Sequence, residues 1–586
     1  MKKKLLALVF FVHTGLLFAQ PMPSQLENST NLGSDASDEP QDMVIVNSKK
    51  YCLYQSYVGD FQSKLVVLNG TSVEFELDLE SDFESGYTRL YASPDGNLIL
   101  SGSFYDYENN ASGSKLLWFD TAENTVVMER KFSNTYISTL FSKDGIVYGF
   151  GAFQSKISFV KIDADGTIIT QKSFGGSAFD YFRDVVYDTS GIYIGATSKS
   201  SDGDVQKNNG SEDFWVFKID FNGALIFSKV FGGSDKDRLT KLALIQGNLY
   251  VGGSTLSTDR DVLSNQPEDA TSEWWVFDNY DKVKLLWLLK MDCADGALVW
   301  EKTYQERGHA TQNTPSIETI QFHEGTILIG ANFKANVANP TFSEQTISSE
   351  SVVLISIDLE GNVNWNRMLK SFNNIRLSDL HVYGSDIYAV CNLWRFNFVG
   401  LNRLYYSLYD VAAEQRVKFE NVLYYEPSVA INQRDVLVFK LNSAGEKVWD
   451  ELYGGHKYDY LNKSILNENK ISFLSTSSSS DIDIINPKGG NDVWLADLVL
   501  GSNDVLHTTD EEASISIYPN PFAQHLTISL QQKGRYTIFD AMGLQVKSGY
   551  LHNMENVLSL ESLSSGAYYI RLYAENRVVV RRLVKL

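Results

Sequence analysis

The stretch from Asp213 to Ser254, DFWVFKIDFNGALIFSKVFGGSDKDRLTKLALIQGNLYVGGS, contains the pattern that decides the fold of this chain. Four short runs of apolar and aromatic residues alternate with polar ones, as half-buried β-strands do. The first turn between them begins with Asp220 and contains Gly223. Aspartate suits such a turn because its side chain can bond its own backbone two residues on, and glycine supplies a positive φ. The stretch therefore predicts four consecutive antiparallel strands.

This four-strand unit is repeated along the chain. Copies of decreasing similarity lie at 157–184, 435–464, 288–304, 352–369, 115–120 and 64–68. Four short strands every 45–70 residues or so are typical of propeller blades, which bury both faces only by stacking in a closed ring. We predict an all-β propeller of about seven blades between Phe61 and Leu500, and insertions near 278–288 and 392–433 leave six or eight open. The strand Asp492–Leu498 is predicted to complete a blade begun elsewhere.

Composition and charge bound the classes of function. The 586 residues are 43% hydrophobic and 13% aromatic, and the net charge is −21. Residues 20–513 carry 40 basic and 68 acidic side chains, whereas residues 514–586 carry eight basic and four acidic ones. An acidic surface of this kind repels nucleic acid and anionic membranes. Cys52, Cys293 and Cys391 are few and far apart, so we predict small buried residues; one long-range disulfide stays open.

The N-terminus has the order of elements of a secretory signal peptide. Residues 1–19 combine Lys2–Lys4, an apolar run from Leu5 to Phe18 and a small residue, Ala19, at the cleavage point. No later segment is apolar enough to span a membrane. Residues 20–42 are polar and acidic, and we predict a disordered leader there. The predicted domains are then a propeller at 43–500, a linker at 501–513 and a terminal domain at 514–586.

A second repeated motif follows the fourth strand of the best copies and contains two aspartates separated by one residue. Carboxylates at this spacing on a turn can chelate a hard cation such as calcium, but a full site needs six to eight oxygens. Aspartate also occurs in turns for backbone reasons alone, so turn capping is the alternative. No other cofactor is predicted. The candidate calcium ligands are Asp202, Asp204, Asp259, Asp261, Asp481 and Asp483.

The last 73 residues predict a small antiparallel β-sandwich. Seven short alternating runs are separated by turn residues such as Met542-Gly543 and Ser565-Gly566. Four motifs occur in order: Tyr518-Pro519-Asn520-Pro521, 539–543, 560–569 and the basic end 581–586. Together they resemble the type A sorting domain of the type IX (Por) secretion system. The residues that carry this resemblance are Tyr518, Pro519, Asn520, Pro521, Asp540, Gly543, Leu563, Gly566, Tyr568 and Lys585.

The resemblance implies where the protein is located in the cell. In that family the domain directs passage from the periplasm across the outer membrane and is usually removed, and the cargo is released or joined to surface lipopolysaccharide. The repeats in turn resemble propeller repeats of secreted Bacteroidota proteins. They also resemble, more distantly, pyrroloquinoline-quinone-type repeats through Asp295-Gly296 and Trp300, and there the tryptophan is structural. We therefore expect a secreted or cell-surface protein whose partner is the type IX machinery.

Three functions of the propeller stay open at the level of the sequence. It is a binding or adhesion module for a glycan or protein ligand, a glycan-active hydrolase or lyase, or a structural surface-layer component. The sequence contains no Gly-x-Ser-x-Gly, His-Glu-x-x-His or Walker motif, and no catalytic residue is assigned. An exposed aromatic patch at the channel mouth would favour binding. Two or three carboxylates there would favour glycan hydrolysis.

Overall fold

The computed structural model shows an all-β chain, as predicted. It divides into two compact units, of which one spans Gln25–Leu500 and the other contains Gly501–Leu586. The described part of the chain contains no helix that could span a membrane. The described residues are 26–57, 61–79, 86–263, 285–304, 315–338, 346–371, 374–394, 422–425, 434–455, 457–480, 483–484, 487–500, 515–530, 533–540, 545–552, 554–574 and 577–586.

The described part of the larger unit contains eight sheets, all antiparallel except for one added strand. The strands of sheets one to four are β2 (Asp38–Val46), β3 (Lys49–Ser56), β4 (Gln62–Asn69) and β5 (Ser72–Leu79); β6 (Tyr87–Ala92), β7 (Leu98–Asp106), β8 (Ala111–Asp120) and β9 (Thr125–Ser133); β10 (Thr139–Lys143), β11 (Ile146–Phe153), β12 (Lys156–Ile162) and β13 (Ile168–Phe174); β14 (Asp180–Asp188), β15 (Gly191–Ser198), β16 (Asp213–Ile219) and β17 (Leu225–Phe231). The strands of sheets five to eight are β18 (Asp237–Ile245), β19 (Asn248–Thr255), β20 (Leu285–Asp292) and β21 (Leu298–Tyr304); β22 (Ser316–His323), β23 (Thr326–Ala338), β24 (Thr346–Ile357) and β25 (Val363–Ser371), with β28 (Val422–Tyr425) parallel to β25; β26 (Asn374–Tyr383), β27 (Asp386–Trp394), β29 (Arg434–Leu441) and β30 (Lys447–Tyr453); β31 (Asp459–Asn467), β32 (Lys470–Ser477), β33 (Asp492–Val499) and β1 (Leu26–Leu32).

The sheets form a closed ring, so the predicted propeller is confirmed. The first strand of one sheet contacts the first strand of the next, as β2 does with β6 and β18 with β22, and β31 closes the ring against β2. The first strands therefore surround the central channel. The described residues form eight blades, one more than the predicted seven and within the range that the sequence left open. The blade missing from the predicted seven is the eighth, because its third strand, Asp492–Val499, was expected to complete another blade.

The last blade is completed by the N-terminal strand, and this corrects two predictions. β33 is the third strand of that blade, and β1 pairs antiparallel with it as the fourth. Residues 26–32 and 38–42 therefore lie in β1 and β2, where the sequence predicted a disordered leader. The prediction failed because an outermost strand needs backbone partners more than apolar side chains. Asn28 Nδ2 donates to Asp497 Oδ2 at 2.8 Å, and Trp494 Nε1 donates to Ser29 Oγ at 3.1 Å.

The turns form as their sequences predict. Asp220 Oδ1 accepts the N–H groups of Asn222 at 2.8 Å and Ala224 at 2.7 Å, and Gly223 has a φ of 77°. Aromatic side chains of the outer strands then pack on the turn of the next blade. Trp300 Nε1 donates to Leu359 O at 3.1 Å, in the turn of the following blade. The tryptophan thus joins two blades, the structural role that the repeat resemblance implies.

Seven inner strands contain a β-bulge at an equivalent place. A bulge leaves backbone polar groups without a ladder partner, and the preceding blade supplies one. Asn392 Oδ1 accepts the N–H of Leu461 at 2.8 Å, while its Nδ2 donates to Leu461 O at 3.0 Å. Asn332 makes the same pair of bonds to Leu377. These two bulges are therefore also hydrogen-bonded joints between blades.

The smaller unit is the predicted β-sandwich, with seven strands in two sheets. One sheet has the order β34-β35-β38 and the other β37-β36-β39-β40, and Leu526, Ile528, Ile538 and Ile570 from the two sheets share one core. Its strands are β34 (Ser516–Tyr518), β35 (His525–Ser529), β36 (Gly534–Asp540), β37 (Gln545–Leu551), β38 (Glu555–Ser559), β39 (Gly566–Ala574) and β40 (Arg577–Lys585).

The three cysteines are free. Cys52 and Cys391 are fully buried, and burial raises the pKa of the Cys52 thiol to about 12. Cys293 is half-buried.

Candidate functional site

In three blades, a Phe/Tyr-Gly-Gly triplet precedes the buried aspartate that begins the inner strand: Asp180, Asp237 and Asp459. Each carboxylate accepts one backbone N–H from the preceding Gly-Gly pair and two hydroxyl groups from a Ser/Thr-x-Ser segment. At Asp237 the donors are Gly233 N at 2.7 Å, Ser257 Oγ at 2.9 Å and Thr255 Oγ1. We call this arrangement the carboxylate cage. It ties the loop between two blades to the loop between the second and third strands of the following blade.

The candidate calcium ligands lie in the same loops. Their carboxylates accept backbone N–H groups of the Phe/Tyr-Gly-Gly segments, which are the contacts expected for turn capping. Asp481 lies outside the described residues. The bonds are Asp202 with Ser177 N (2.7 Å), Asp259 with Ser234 N (2.8 Å), Asp204 with Gly175 N (3.0 Å), Asp261 with Gly232 N (3.2 Å) and Asp483 with Gly454 N (2.9 Å).

Electrostatics agree with these contacts. The N–H of Ser177 lowers the pKa of Asp202, because a hydrogen bond to the carboxylate favours its charged form. Within the described ranges, no group of three or more His, Cys, Asp or Glu side chains is placed to hold a metal ion. Calcium binding by these loops stays a prediction that chelation would test.

The glycines of the triplets are required by close approach. A Cβ on Gly233 would lie 2.4 Å from Ser257 Cβ and 2.5 Å from Asp259 Oδ1. Their N–H groups donate to the carboxylates described above. The triplets are therefore turns, as the sequence predicted, and their N–H groups are not free to cradle a phosphate.

At three blade junctions a second buried carboxylate accompanies the aspartate at the start of the inner strand, and the sequence analysis missed it. Asp213 and Asp237 both lie beside Gly232, Asp435 and Asp459 beside Gly454, and Asp492 and Asp38 beside Gly33. Burial, with a smaller contribution from the nearby Asp237, raises the pKa of Asp213 to about 7. Burial also raises the pKa of Asp459 to about 7. Its sequence signal is an aspartate at the start of the third strand, such as Asp213 or Asp492.

A pocket of about 670 Å³ lies at the cage end of the channel, between the eighth, first and second blades. The rings of Tyr458 and Tyr460, on either side of Asp459, stack with centroids 6.3 Å apart. Glu39 is the one carboxylate among its described lining residues. We call this the mouth pocket. Its described lining is Glu39, Pro40, Gln41, Thr88, Arg89, Tyr458, Tyr460, Asn462, Thr476 and Asn491.

An equivalent aromatic pair lies four blades away. Phe179 and Tyr181 flank Asp180 and stack with centroids 6.1 Å apart. They are 56% and 36% exposed. In a ring of eight, the fourth and eighth blades face each other, so aromatic pairs stand on opposite sides of the channel mouth.

A serine, a histidine and an aspartate also meet, between the seventh and eighth blades. His381 Nε2 lies 2.7 Å from Ser464 Oγ, and the Ser464 hydroxyl donates to Asp379 Oδ2 at 2.8 Å. The imidazole must then donate to Ser464, so it cannot act as the base that a nucleophilic serine needs. Ser464 is buried in the blade interface. We interpret the set as a structural joint.

The predicted sorting residues come together in the smaller unit, although they are far apart in the sequence. Asn520 Nδ2 donates to Arg582 O at 2.7 Å, and its Oδ1 accepts the N–H of Val584 at 2.8 Å. Lys585 Nζ donates to Ala523 O. The Pro-Asn-Pro segment is thus joined to the C-terminal strand, and we call this contact the Asn520 clamp.

The remaining sorting residues support the sandwich. Tyr568 OH donates to Ser564 O at 2.8 Å, and Leu563 packs against the core. Tyr518 is 44% exposed, and its hydroxyl donates to Glu555. Asp540 ends β36 opposite Tyr568. Gly566 begins β39, and Gly543 lies outside the described residues.

The two folds define the class of protein: a large closed β-propeller with a small C-terminal β-sandwich. Residues 516–586 match the family model described as a secretion system C-terminal sorting domain, which confirms the predicted resemblance. This segment is a C-terminal sorting domain. No curated protein sequence matches the chain.

Solved propellers resemble the larger unit in fold. The Dos1 propeller is 11% identical, with a TM-score of 0.40, over 80% of this chain and 96% of that one. Sqt1 from Chaetomium thermophilum is 10% identical, with a TM-score of 0.41, over 81% and 100%. The propeller domain of the Trilobed protease from Pyrococcus furiosus, described as having an open velcro topology, is 9% identical, with a TM-score of 0.33, over 62% and 96%.

Proposed function

We propose that the type IX secretion pathway exports this chain through the periplasm to the outer-membrane surface or the medium, where the propeller acts as a binding module. The observation that carries the export role is the sorting-domain match at 516–586. The Asn520 clamp supports it, because it joins the first and last predicted sorting motifs into one surface. Attachment to lipopolysaccharide after removal of the domain, and a Bacteroidota source, belong to this proposal.

Export is tested in a host that has the type IX machinery. Deletion of residues 514–586 should leave the propeller in the periplasm, whereas the full chain reaches the surface or the medium. Asn520→Ala should reduce export, because it removes both bonds to the C-terminal strand. Asn556→Ala is the matched control, since the Asn556 side chain accepts the His552 N–H near the other end of the domain. Normal display of the deleted chain would refute the export role.

The binding role is supported by the mouth pocket. Closed rings present loops and a channel mouth to ligands, and exposed aromatic side chains at such a place mark interaction sites. Glycan hydrolysis generally needs two carboxylates about 5–9.5 Å apart, and the described lining of this pocket contains one. The aromatic pairs also favour binding over a purely structural surface-layer role.

Binding is tested by probing the purified full chain against arrays of polysaccharides and of extracellular-matrix proteins. Retention on at least one class is expected, together with no release of reducing sugar. Release of reducing sugar would favour the hydrolase or lyase alternative. Failure to bind either class would favour the structural alternative.

A further inference from the structure

We propose that the mouth pocket is an oligosaccharide-binding site in which Tyr458 and Tyr460 form the stacking platform; this rests on the proposed binding role of the propeller. The site lies where three inner strands meet, β31, β2 and β6. It is built on strands rather than on free loops, so its side chains are held in place before a ligand arrives.

The platform is the first part of the argument. Tyr458 and Tyr460 stack on one another with an interplanar angle of 21°, and both border the pocket. Asp459, the residue between the two tyrosines, is fixed in place, because its carboxylate accepts hydrogen bonds from Gly455 N at 2.6 Å and from Ser479 Oγ at 2.8 Å. A flat aromatic surface on a rigid backbone offers contact area at low cost in conformational entropy. The apolar face of a pyranose ring matches such a surface.

The polar lining is the second part. The amides of Gln41 and Asn462 and the hydroxyl of Thr88 border the same pocket. Gln41 Nε2 already donates to Glu39 O and Gln55 Oε1, so Gln41 offers a ligand its Oε1 acceptor, and Asn462 offers its second Nδ2 hydrogen. With the Thr88 hydroxyl, these groups suit ligands whose hydroxyl groups both donate and accept. The Asn462 amide is oriented by its own bonds, since Nδ2 donates to Pro40 O and Oδ1 accepts from Thr476. The lining thus combines one apolar face with ordered polar groups.

Charge narrows the ligand class. Glu39 accepts a hydrogen bond from Tyr57 OH at 3.3 Å. Arg89 is exposed and borders the pocket, and its guanidinium group can donate hydrogen bonds to one carboxylate of a ligand. The strongly acidic domain around it disfavours polyanions such as nucleic acid. A neutral oligosaccharide, or one with a single acidic sugar at Arg89, fits this balance best.

The test is calorimetric titration of the full chain with maltohexaose, cellohexaose, xylohexaose, N-acetylchitohexaose and an oligogalacturonate. At least one should bind, and Tyr460→Ala should weaken binding about tenfold or more, because base or sugar stacking on one ring contributes on that scale. Tyr460→Phe should retain most of the affinity, since it keeps the ring. Tyr187→Ala is the matched control: Tyr187 lies on an inner strand and is 40% exposed, but it is at the far end of β14.

Each outcome decides something. Loss of binding in Tyr460→Ala with an unchanged melting temperature supports the site. Equal affinity of Tyr460→Ala and the parent chain overturns it. If none of the five probes binds, the ligand class is overturned; retention of a matrix protein that depends on Tyr460 would then keep the binding role and assign the pocket to a protein. Oligogalacturonate binding that Arg89→Ala abolishes would identify the acidic sugar.

Discussion

At the scale of single residues, the chain uses buried carboxylates to fix loop conformation. The three cages place a buried carboxyl group where a backbone N–H and two hydroxyls converge, and losing such an acceptor leaves buried donors without a partner. The same loops carry the aspartates that the sequence presented as calcium ligands. In the described loops those carboxylates cap turns. Both the buried cage aspartates and the aspartates of the Asp-x-Asp loops therefore fix the conformation of the backbone.

Removal of a cage should cost stability. Asp180→Ala leaves Gly176 N, Ser198 Oγ and Ser200 Oγ without their common acceptor. We expect the free energy of unfolding to fall by about 2–4 kcal/mol, as measured by urea denaturation. Asp165→Ala is the control, because Asp165 is an exposed turn residue and should change stability by less than about 0.5 kcal/mol. Equal stability of the two variants would show that the cage contributes nothing.

The acid pairs should make stability depend on pH. Burial raises the pKa of Asp213 to about 7, above its value of about 3.9 in an unfolded chain. The folded state then binds the extra proton, so the stabilisation is complete below about pH 4 and is lost as the pH rises through about 7. Because Asn does not titrate, Asp213→Asn does not lose this stabilisation. Its free energy of unfolding relative to the parent should therefore rise by roughly 1–4 kcal/mol between about pH 4 and about pH 7. Urea denaturation at several pH values measures this, and a difference that does not vary with pH would contradict it.

At the scale of strands, the outermost element of the last blade is the least recognisable from sequence. β1 reads LENSTNL, and its bonds are mainly those of the backbone ladder to β33. Alternation, turn aspartates and glycines predicted most strands because those signals are local. The pairing of β1 is not local. Its polar side chains find their hydrogen-bond partners in β33 only after the ring has closed.

Deletion of β1 should open the ring. A chain that starts after residue 33 lacks the fourth strand of the last blade, together with the Asn28–Asp497 and Ser29–Trp494 contacts. We expect its melting temperature to fall and its hydrogen exchange in β33 to rise, because β33 becomes an exposed edge. A chain that starts at residue 25 should behave as the parent does. Unchanged protection of β33 in the shorter chain would count against this role of β1.

At the scale of the whole molecule, the blades are alike, but the junction between the eighth and first blades contains a buried ion pair. The third strands of several blades carry a lysine over a tyrosine ring, as Lys218 does over Tyr193 and Lys440 over Tyr388. In β33 the equivalent residue is Asp497, which forms a buried ion pair with Lys50 of the first blade. This pair distinguishes the correct neighbour at the point where the two ends of the ring must meet.

Reversal of that charge should disrupt closure. Asp497→Lys places two buried ammonium groups together, and we expect a loss of about 3–5 kcal/mol in the free energy of unfolding. Asp497→Asn keeps groups that can bond Asn28 and Ser472 and should lose less. Urea denaturation of both variants provides the comparison. Parent-like stability of Asp497→Lys would refute a role for charge at the junction.

The two domains differed in how far the sequence could predict them. The sandwich was predicted strand by strand, because short turns separate its runs and its motifs occur in order. The propeller was predicted as a fold, but its eighth blade and the mouth pocket were not. Tyr458 and Arg89 are 369 residues apart, so only ring closure brings them to one pocket, and no local pattern marks them as partners.

Because β1 pairs with β33, it must wait during synthesis until nearly the whole propeller has been made. Some 460 residues separate the two strands, and at synthesis rates of roughly 5–20 residues per second the first strand exists for about half a minute to a minute and a half before its partner is made. An apolar strand left exposed for that long would be an aggregation hazard. A polar, asparagine- and serine-rich strand is not, so the composition that made β1 look unstructured also suits a strand that must remain soluble until the ring is complete.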